Sequence, residues 1–284
     1  VGAGVLAATL GADPRAAIEA LAGAPRESIE VRLRVVRARI ELGELAEANR
    51  QLQAAQYLAI KAGFPHDWRI AWYRGLIELA GGRARVAHVA FDTVYDELPG
   101  ETAPKLAMAF SAEATGEYFA ASRLYELVWR TDRSYVSAAF GLARVYLAQG
   151  ARASAIEVLE SVPSSSTHHV PAQLAAIKVK ITPFAGKQVT EADLVDAGGR
   201  LERLDLDAER RTRLAIEVLS AALEWLRGNA ESEHTQVLGC ALRERDVRFG
   251  LETHHRSLAR LVSTTAERIE LVDRANALRP RTLT

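Results

Sequence analysis

Small and large apolar positions recur along residues 67–163 in a fixed phase. Gly82, Gly116 and Gly150 stand thirty-four residues apart, and Ala87, Ala121 and Ala155 follow them five positions later. Large residues, Phe91, Tyr125 and Leu159, come four positions after those alanines, and small residues, Gly75, Ala109 and Ala143, precede the glycines by seven. Four positions held in one register over three copies make a repeat rather than ordinary amphipathicity. A small residue in the first half of each copy lets two helices approach closely. Glycine makes the turn between them, where a left-handed backbone meets no Cβ. Alanine keeps the second helix against the first, and the large residue fills the gap against the next pair.

A thirty-four-residue period with this order of small residue, turn glycine, alanine and bulky residue is the tetratricopeptide pattern of paired helices. The expected fold class is all-α, a right-handed superhelical solenoid of antiparallel helix pairs turning at Gly43, Gly82, Gly116 and Gly150. The GELAEA segment from Gly43 to Ala48 carries the register backwards, but thirty-nine residues separate Gly43 from Gly82. The five extra residues predict a longer helix or loop around Lys61–Phe64. Helix starts are legible as caps at Asp13 before Pro14, Ser28 and Asp67, and Thr102 and Ser134 open the following two first helices. After Pro163 the period is lost. A helix is predicted from His169 to Ile181, Thr190 with Asp193 resembles a capping box, and Asp207 opens a long helix through Leu226. Asp246–Leu278 reads as two helices split near Ser263, a degenerate last pair. The organisation is thus 1–27, N-terminal helices at what reads as the cut edge of a longer chain; 28–163, repeats; and 164–284, an irregular helical extension.

Composition narrows the function classes. Lys+Arg and Asp+Glu both number 36, so no global field draws the chain to nucleic acid or anionic lipid. Hydrophobic content is 49% with only 6% aromatic, which suits close helix packing through small residues. Cys240 is the single cysteine, which excludes an intrachain disulfide and fits a reducing, cytoplasmic setting. No apolar run reaches the length of a membrane span, and no signal peptide opens the sequence.

Several segments carry a resemblance beyond the repeat. TVYDELPGE (Thr93–Glu101), APKLAMA (Ala103–Ala109), SAAFGLAR (Ser137–Arg144), RSLAR (Arg256–Arg260), the segment Leu271–Pro280 and WRIAWYRGLIELAGG (Trp68–Gly82) resemble the C-terminal region of actinobacterial protein kinase G-type serine/threonine kinases. That resemblance implies a parent protein with a rubredoxin-like module, a kinase domain and a C-terminal tetratricopeptide domain. It implies a role for the last domain in dimerisation and in docking the kinase domain or a protein partner, with a forkhead-associated-domain substrate among the candidates. No HRD, DFG or VAIK motif and no rubredoxin cysteine pair occurs in this sequence. Catalysis is therefore expected outside this chain, and ATP and Mg would belong to the kinase domain. GAGVLA (Gly2–Ala7) fits a bare glycine-rich pattern but lacks the strand that a phosphate-binding turn requires. A free-standing repeat adaptor is the competing class.

The candidate binding residues come from the repeat itself. In tetratricopeptide domains the inner groove is lined by first-helix positions two, five, nine and twelve, counted with the turn glycine as fifteen. Position five holds Leu33, Trp72, Leu106 and Phe140; position nine holds Arg37, Leu76, Phe110 and Arg144; Arg69 stands at position two. The set describes an apolar groove with arginines, suited to a peptide with an acidic flank. It lacks the Lys and Asn clamp with which chaperone-binding relatives hold a terminal carboxylate. The pairs His168–His169 and His254–His255 read as surface or capping residues, because adjacent helical side chains diverge by about 100° and no further ligand stands at metal spacing. Cys240, in VLGCAL, reads as an inert buried thiol.

Overall fold

The computed structural model describes residues 13–24 and 27–280; the GAGVLA segment lies outside the described residues. The described residues form two compact units, the first ending at Val145 and the second beginning at Tyr146. The described helices of the first unit are α1 (Pro14–Ala22), α2 (Ile29–Glu41), α3 (Leu45–Lys61), α4 (Trp68–Ala80), α5 (Ala84–Glu97), α6 (Thr102–Ala114) and α7 (Tyr118–Thr131), and α8 (Val136–Ala148) runs across the division. The second unit continues with α9 (Arg152–Glu160), α10 (His169–Ile181), α11 (Glu191–Arg203), α12 (Ala208–Leu226), a hairpin of β1 (Ser232–Val237) and β2 (Cys240–Leu242), α13 (Glu244–Leu261) and α14 (Thr265–Leu278).

The turn register is realised at every predicted glycine. Gly43, Gly82, Gly116 and Gly150 adopt φ of +74°, +75°, +80° and +76°. Each turn closes with two backbone bonds, as where Arg83 N–H donates to Glu78 O at 2.8 Å and Gly82 N–H to Leu79 O at 3.0 Å. This is the Schellman closure, which satisfies carbonyls orphaned at the helix end. A Cβ at these four glycines would meet nothing within 4 Å, so backbone conformation, not space, requires glycine there.

Gly75 and Gly141 are demanded by space instead. A Cβ on Gly75 would lie 2.4 Å from the Phe91 ring, and one on Gly141 would lie 2.4 Å from the Tyr125 ring. Phe91 therefore reaches α4 of its own pair and, with Met108 and Ala107 of α6, also fills the gap against the next pair, as Tyr125 does against the following pair at α8. Ala87, Ala121 and Ala155 are fully buried. Ala121→Leu is expected to overpack the α6–α7 contact and lower stability by about 1–3 kcal/mol. Chemical denaturation with an unchanged midpoint would show that the contact has room to spare.

The extra residues of the first connection lengthen a helix. α3 runs for 17 residues where α5 and α7 run for 14. Gly63, at φ +87°, then ends it with Phe64 N–H bonded to Ala59 O.

In the second unit the core gathers Ile177, Leu194, Leu201, Val218, Leu219, Leu242 and Leu251. An ion cluster joins α9, α10 and α11. Arg200 pairs with Glu160 at 2.8 Å and Asp196 at 2.7 Å, Lys180 bonds the same two carboxylates, and Arg152 pairs with Asp193 at 3.2 Å. Burial by itself would raise the Asp196 carboxyl, but the Lys180 and Arg200 hydrogen bonds hold it below the usual aspartate range. Thr190 and Asp193 do form the predicted capping box.

The hairpin is the departure from an all-helical reading. Val237 pairs with Cys240 across a turn in which Leu238 and Gly239 both have positive φ, 51° and 73°. Leucine is a poor choice for that conformation, whose usual signature is Asn-Gly. The tip is instead seated by packing: a Cβ on Gly198 of α11 would come within 3.3 Å of Leu238 N. Gly250 of α13 likewise lies under Cys240, whose Sγ would be 2.5 Å from a Cβ there. Cys240 is half-buried, and burial, with the Asp246 charge adding, pushes its thiol up and away from the reactive thiolate.

His255 also departs from its sequence reading. It belongs to the core, 5% exposed, and its Nδ1 has no hydrogen-bond partner. Burial, with Arg274 and His254 adding, lowers its pKa from the ordinary 6.5. Because the folded pKa is the lower one, the unfolded chain binds the proton first on acidification. Stability is therefore complete above about pH 6.5 and declines as pH falls towards the folded value. The melting temperature is expected to drop between about pH 7.5 and about pH 5.5, and His255→Phe to flatten that slope. Equal slopes for both proteins would remove His255 from the account.

Candidate protein-binding groove

Helices α6 and α8 bring part of the predicted groove together. Leu106 and Phe110 are one turn apart on α6, and Phe140 and Arg144 one turn apart on α8, so each pair shares a helix face. Phe110 is 48% exposed, while Leu106 and Phe140 are half-buried. A link between the two helices fixes their adjacency: Arg144 Nε donates to Glu113 Oε1 at 2.7 Å and its Nη2 to Oε2 at 2.9 Å. The hydroxyl of buried Tyr125 donates to the same Oε2 at 2.7 Å. Burial, reinforced by the Glu113 charge, pushes the Tyr125 phenol well up, and the Glu113 hydrogen bond raises Arg144 further above its already high value.

Glu113 is the residue that the sequence reading passed over. It stands at repeat position twelve, so the count that selected Phe110 and Arg144 also points to it. Its effect is to fill the guanidinium fork that an incoming carboxylate would otherwise use. The other groove arginines are filled in the same way. Arg69 bonds Asp67 and reaches from α4 to Glu30 of α2 at 2.9 Å, and Arg37 pairs with Glu41 at 2.8 Å. Asp67 and Glu30 are held below their ordinary values chiefly by the Arg69 hydrogen bonds. The groove is thus apolar with internally neutralised charges.

The remaining candidates fall elsewhere. Leu33 is buried in the core with Val36, Leu52, Ile70 and Ile77, so it packs the first pairs and presents nothing to a ligand. Trp72 lies against Phe91, with ring centroids 5.3 Å apart and planes inclined at 56°. Leu76 joins that cluster at its edge. Both are spent largely on joining α4, α5 and α6. No group of three or more His, Cys, Asp or Glu side chains that could hold a metal occurs among the described residues. Among the same residues no helix is long and apolar enough to cross a membrane.

Comparison with known proteins decides the family. The family model described as protein kinase G tetratricopeptide repeat matches residues 1–282. The chain belongs to the protein kinase G tetratricopeptide repeat family. Among curated relatives it is similar to the serine/threonine-protein kinase PknG of Mycolicibacterium smegmatis, 37% identical over 254 residues, and to that of Mycobacterium leprae, 38% identical over 254 residues. Each match covers 89% of this chain and 32% of the relative, so the chain spans about a third of the length of these kinases. Two solved structures share the fold at 12% identity. The C-terminal part of a tetratricopeptide repeat protein from Cytophaga hutchinsonii superposes with a TM-score of 0.63, covering 93% of this chain and 96% of that one. A tetratricopeptide repeat protein from Parabacteroides merdae does so with a TM-score of 0.50, covering 93% of each. The chain is accordingly an all-α tetratricopeptide domain of the protein kinase G family, a fold for protein–protein interaction.

Proposed function

We propose that this chain is the interaction and regulatory domain of a protein kinase G-type serine/threonine kinase, docking the kinase domain or a protein partner and mediating self-association, with no catalysis of its own. A forkhead-associated-domain substrate is among the partners that the family suggests. Its repeats occupy 28–163 and its irregular extension 164–284 in this reading. The observation that carries it is Phe110, a large aromatic 48% exposed on the face where the repeat register places ligand contacts. An exposed aromatic one turn from half-buried Leu106, on a helix tied to the one that carries Phe140, gains by being covered, and a protein surface supplies that cover. With Arg37, Arg69 and Arg144 each holding a carboxylate of this chain, affinity at the groove rests on apolar burial rather than on charge.

The test combines light scattering of the chain with a titration against the separately prepared segment of the same gene product that carries the kinase motifs. A dimer mass or saturable binding is expected. A monomer at high concentration that ignores the kinase segment would overturn both association roles.

A further inference from the structure

A second apolar site lies between α4 and α5, apart from the groove. Ala71 and Arg74 of α4 and Arg85, Val86, Val89 and Ala90 of α5 line an open cleft. Val86 is 51% exposed and Val89 67% exposed. Valine is a weak helix former, and on an exposed helix face it gains no packing in return. The repeat does not demand it. The matching positions are Glu47 and Arg50 on α3, paired with each other, and Ala120 and Arg123 on α7. The fourth pair has Ser154 and Glu157 there on α9, so of the four pairs only the second, α4–α5, carries two large apolar residues at this register.

The charges around the cleft differ from those of the groove. Arg74 reaches only a neutral amide, donating from Nη2 to Gln56 Oε1 at 3.0 Å. Arg85 has no partner among the described residues, and the nearby Glu78 carboxylate is held by Arg83. Two guanidinium groups thus border apolar ground with no carboxylate to neutralise them. Arg85 lies one turn before Val89 on the same helix face, so one occupant can meet both.

We infer that the α4–α5 cleft docks a short acidic segment of a partner protein, seating an apolar side chain on Val86 and Val89 while its carboxylates engage Arg74 and Arg85. The charge complementarity selects that occupant, since a guanidinium fork takes a carboxylate bidentately and a basic segment would be repelled. The inference rests on the reading of the chain as a protein-binding domain but uses none of the groove residues. It places two binding faces on one unit, one governed by burial and the other dependent on salt.

The probe is a peptide-display library selected on the full chain, with affinities of the enriched peptides measured by titration. Four proteins are compared: wild type, Val89→Asp, the double variant Arg74→Ala/Arg85→Ala, and the groove variant Phe140→Ala. The cleft substitutions fall on exposed side chains, and circular dichroism checks that each variant folds. Enrichment of peptides with Asp or Glu beside a large apolar residue is expected. Their binding should weaken by about tenfold or more in both cleft variants, stay unchanged in Phe140→Ala, and fall with added salt. Enrichment of sequences without acidic residues, or equal binding to the cleft variants, would overturn the inference. Loss in Phe140→Ala alone would do the same while leaving the groove reading in place. Failure of the chain to bind the kinase segment, read in the separate titration, would count against the interaction role itself.

Discussion

Tyr125→Ala should destabilise the first unit by about 3–5 kcal/mol, and Tyr125→Phe by about 1 kcal/mol. Tyr125 is 1% exposed, and its ring fills the space left by Gly141, where a Cβ would lie 2.4 Å away. Truncation to alanine removes that ring from a site whose facing residue, Gly141, has no side chain to expand into the void. It also frees Glu113, leaving a carboxylate only 18% exposed with Arg144 as its one remaining partner. The phenylalanine variant keeps the ring and removes only the bond from the hydroxyl to Glu113 Oε2. Guanidinium denaturation of both variants checks the ratio. Equal losses would show that the hydroxyl, not the ring, holds α7 against α8.

Phe140→Ala should weaken a groove ligand about thirty-fold or more, the effect of losing an anchor aromatic of about 2 kcal/mol. Phe140 stands one turn from Arg144, and the Arg144–Glu113 pair ties its helix to the one that carries Phe110. Because that pair is closed within the chain, the groove ligand should respond weakly to salt. Titration at two salt concentrations distinguishes this from the arginine-led recognition that sequence alone suggests. A steep salt dependence would mean that the ligand opens the pair and takes Arg144 for itself.

Much of the fold is legible in the sequence because the tetratricopeptide signal is a backbone signal. A Schellman turn needs a left-handed residue, and Gly43, Gly82, Gly116 and Gly150 announce it directly. The caps at Ser28, Asp67 and Asp207 are equally local, since each side chain bonds a backbone N–H two or three residues away. What was not legible depends on partners distant in sequence. The β1–β2 hairpin turns on Leu238-Gly239 rather than on a favoured dipeptide, and its seat is Gly198, some forty residues earlier. Gly141 reads as an ordinary helical glycine until the Tyr125 ring is seen against it. In the groove the aromatic positions could be counted from the repeat, and the local pairs Arg37–Glu41 and Arg69–Asp67 lie within four residues, but the cross-helix partners could not be read. Glu30 reaches Arg69 and Glu113 reaches Arg144 by contacts 39 and 31 residues apart in sequence. Leu33 sits at a groove position by count and in the core by packing, because the first pairs close over it.

Photo-crosslinking from the groove tests the central claim most directly. Benzoylphenylalanine is placed at Phe110 and, as a control, at exposed Arg123 on α7, and each protein is irradiated with the kinase domain of the parent protein proposed above. The account predicts a crosslink from position 110 that Phe140→Ala diminishes, and little from position 123. Efficient crosslinking from position 123 with none from position 110 would contradict it.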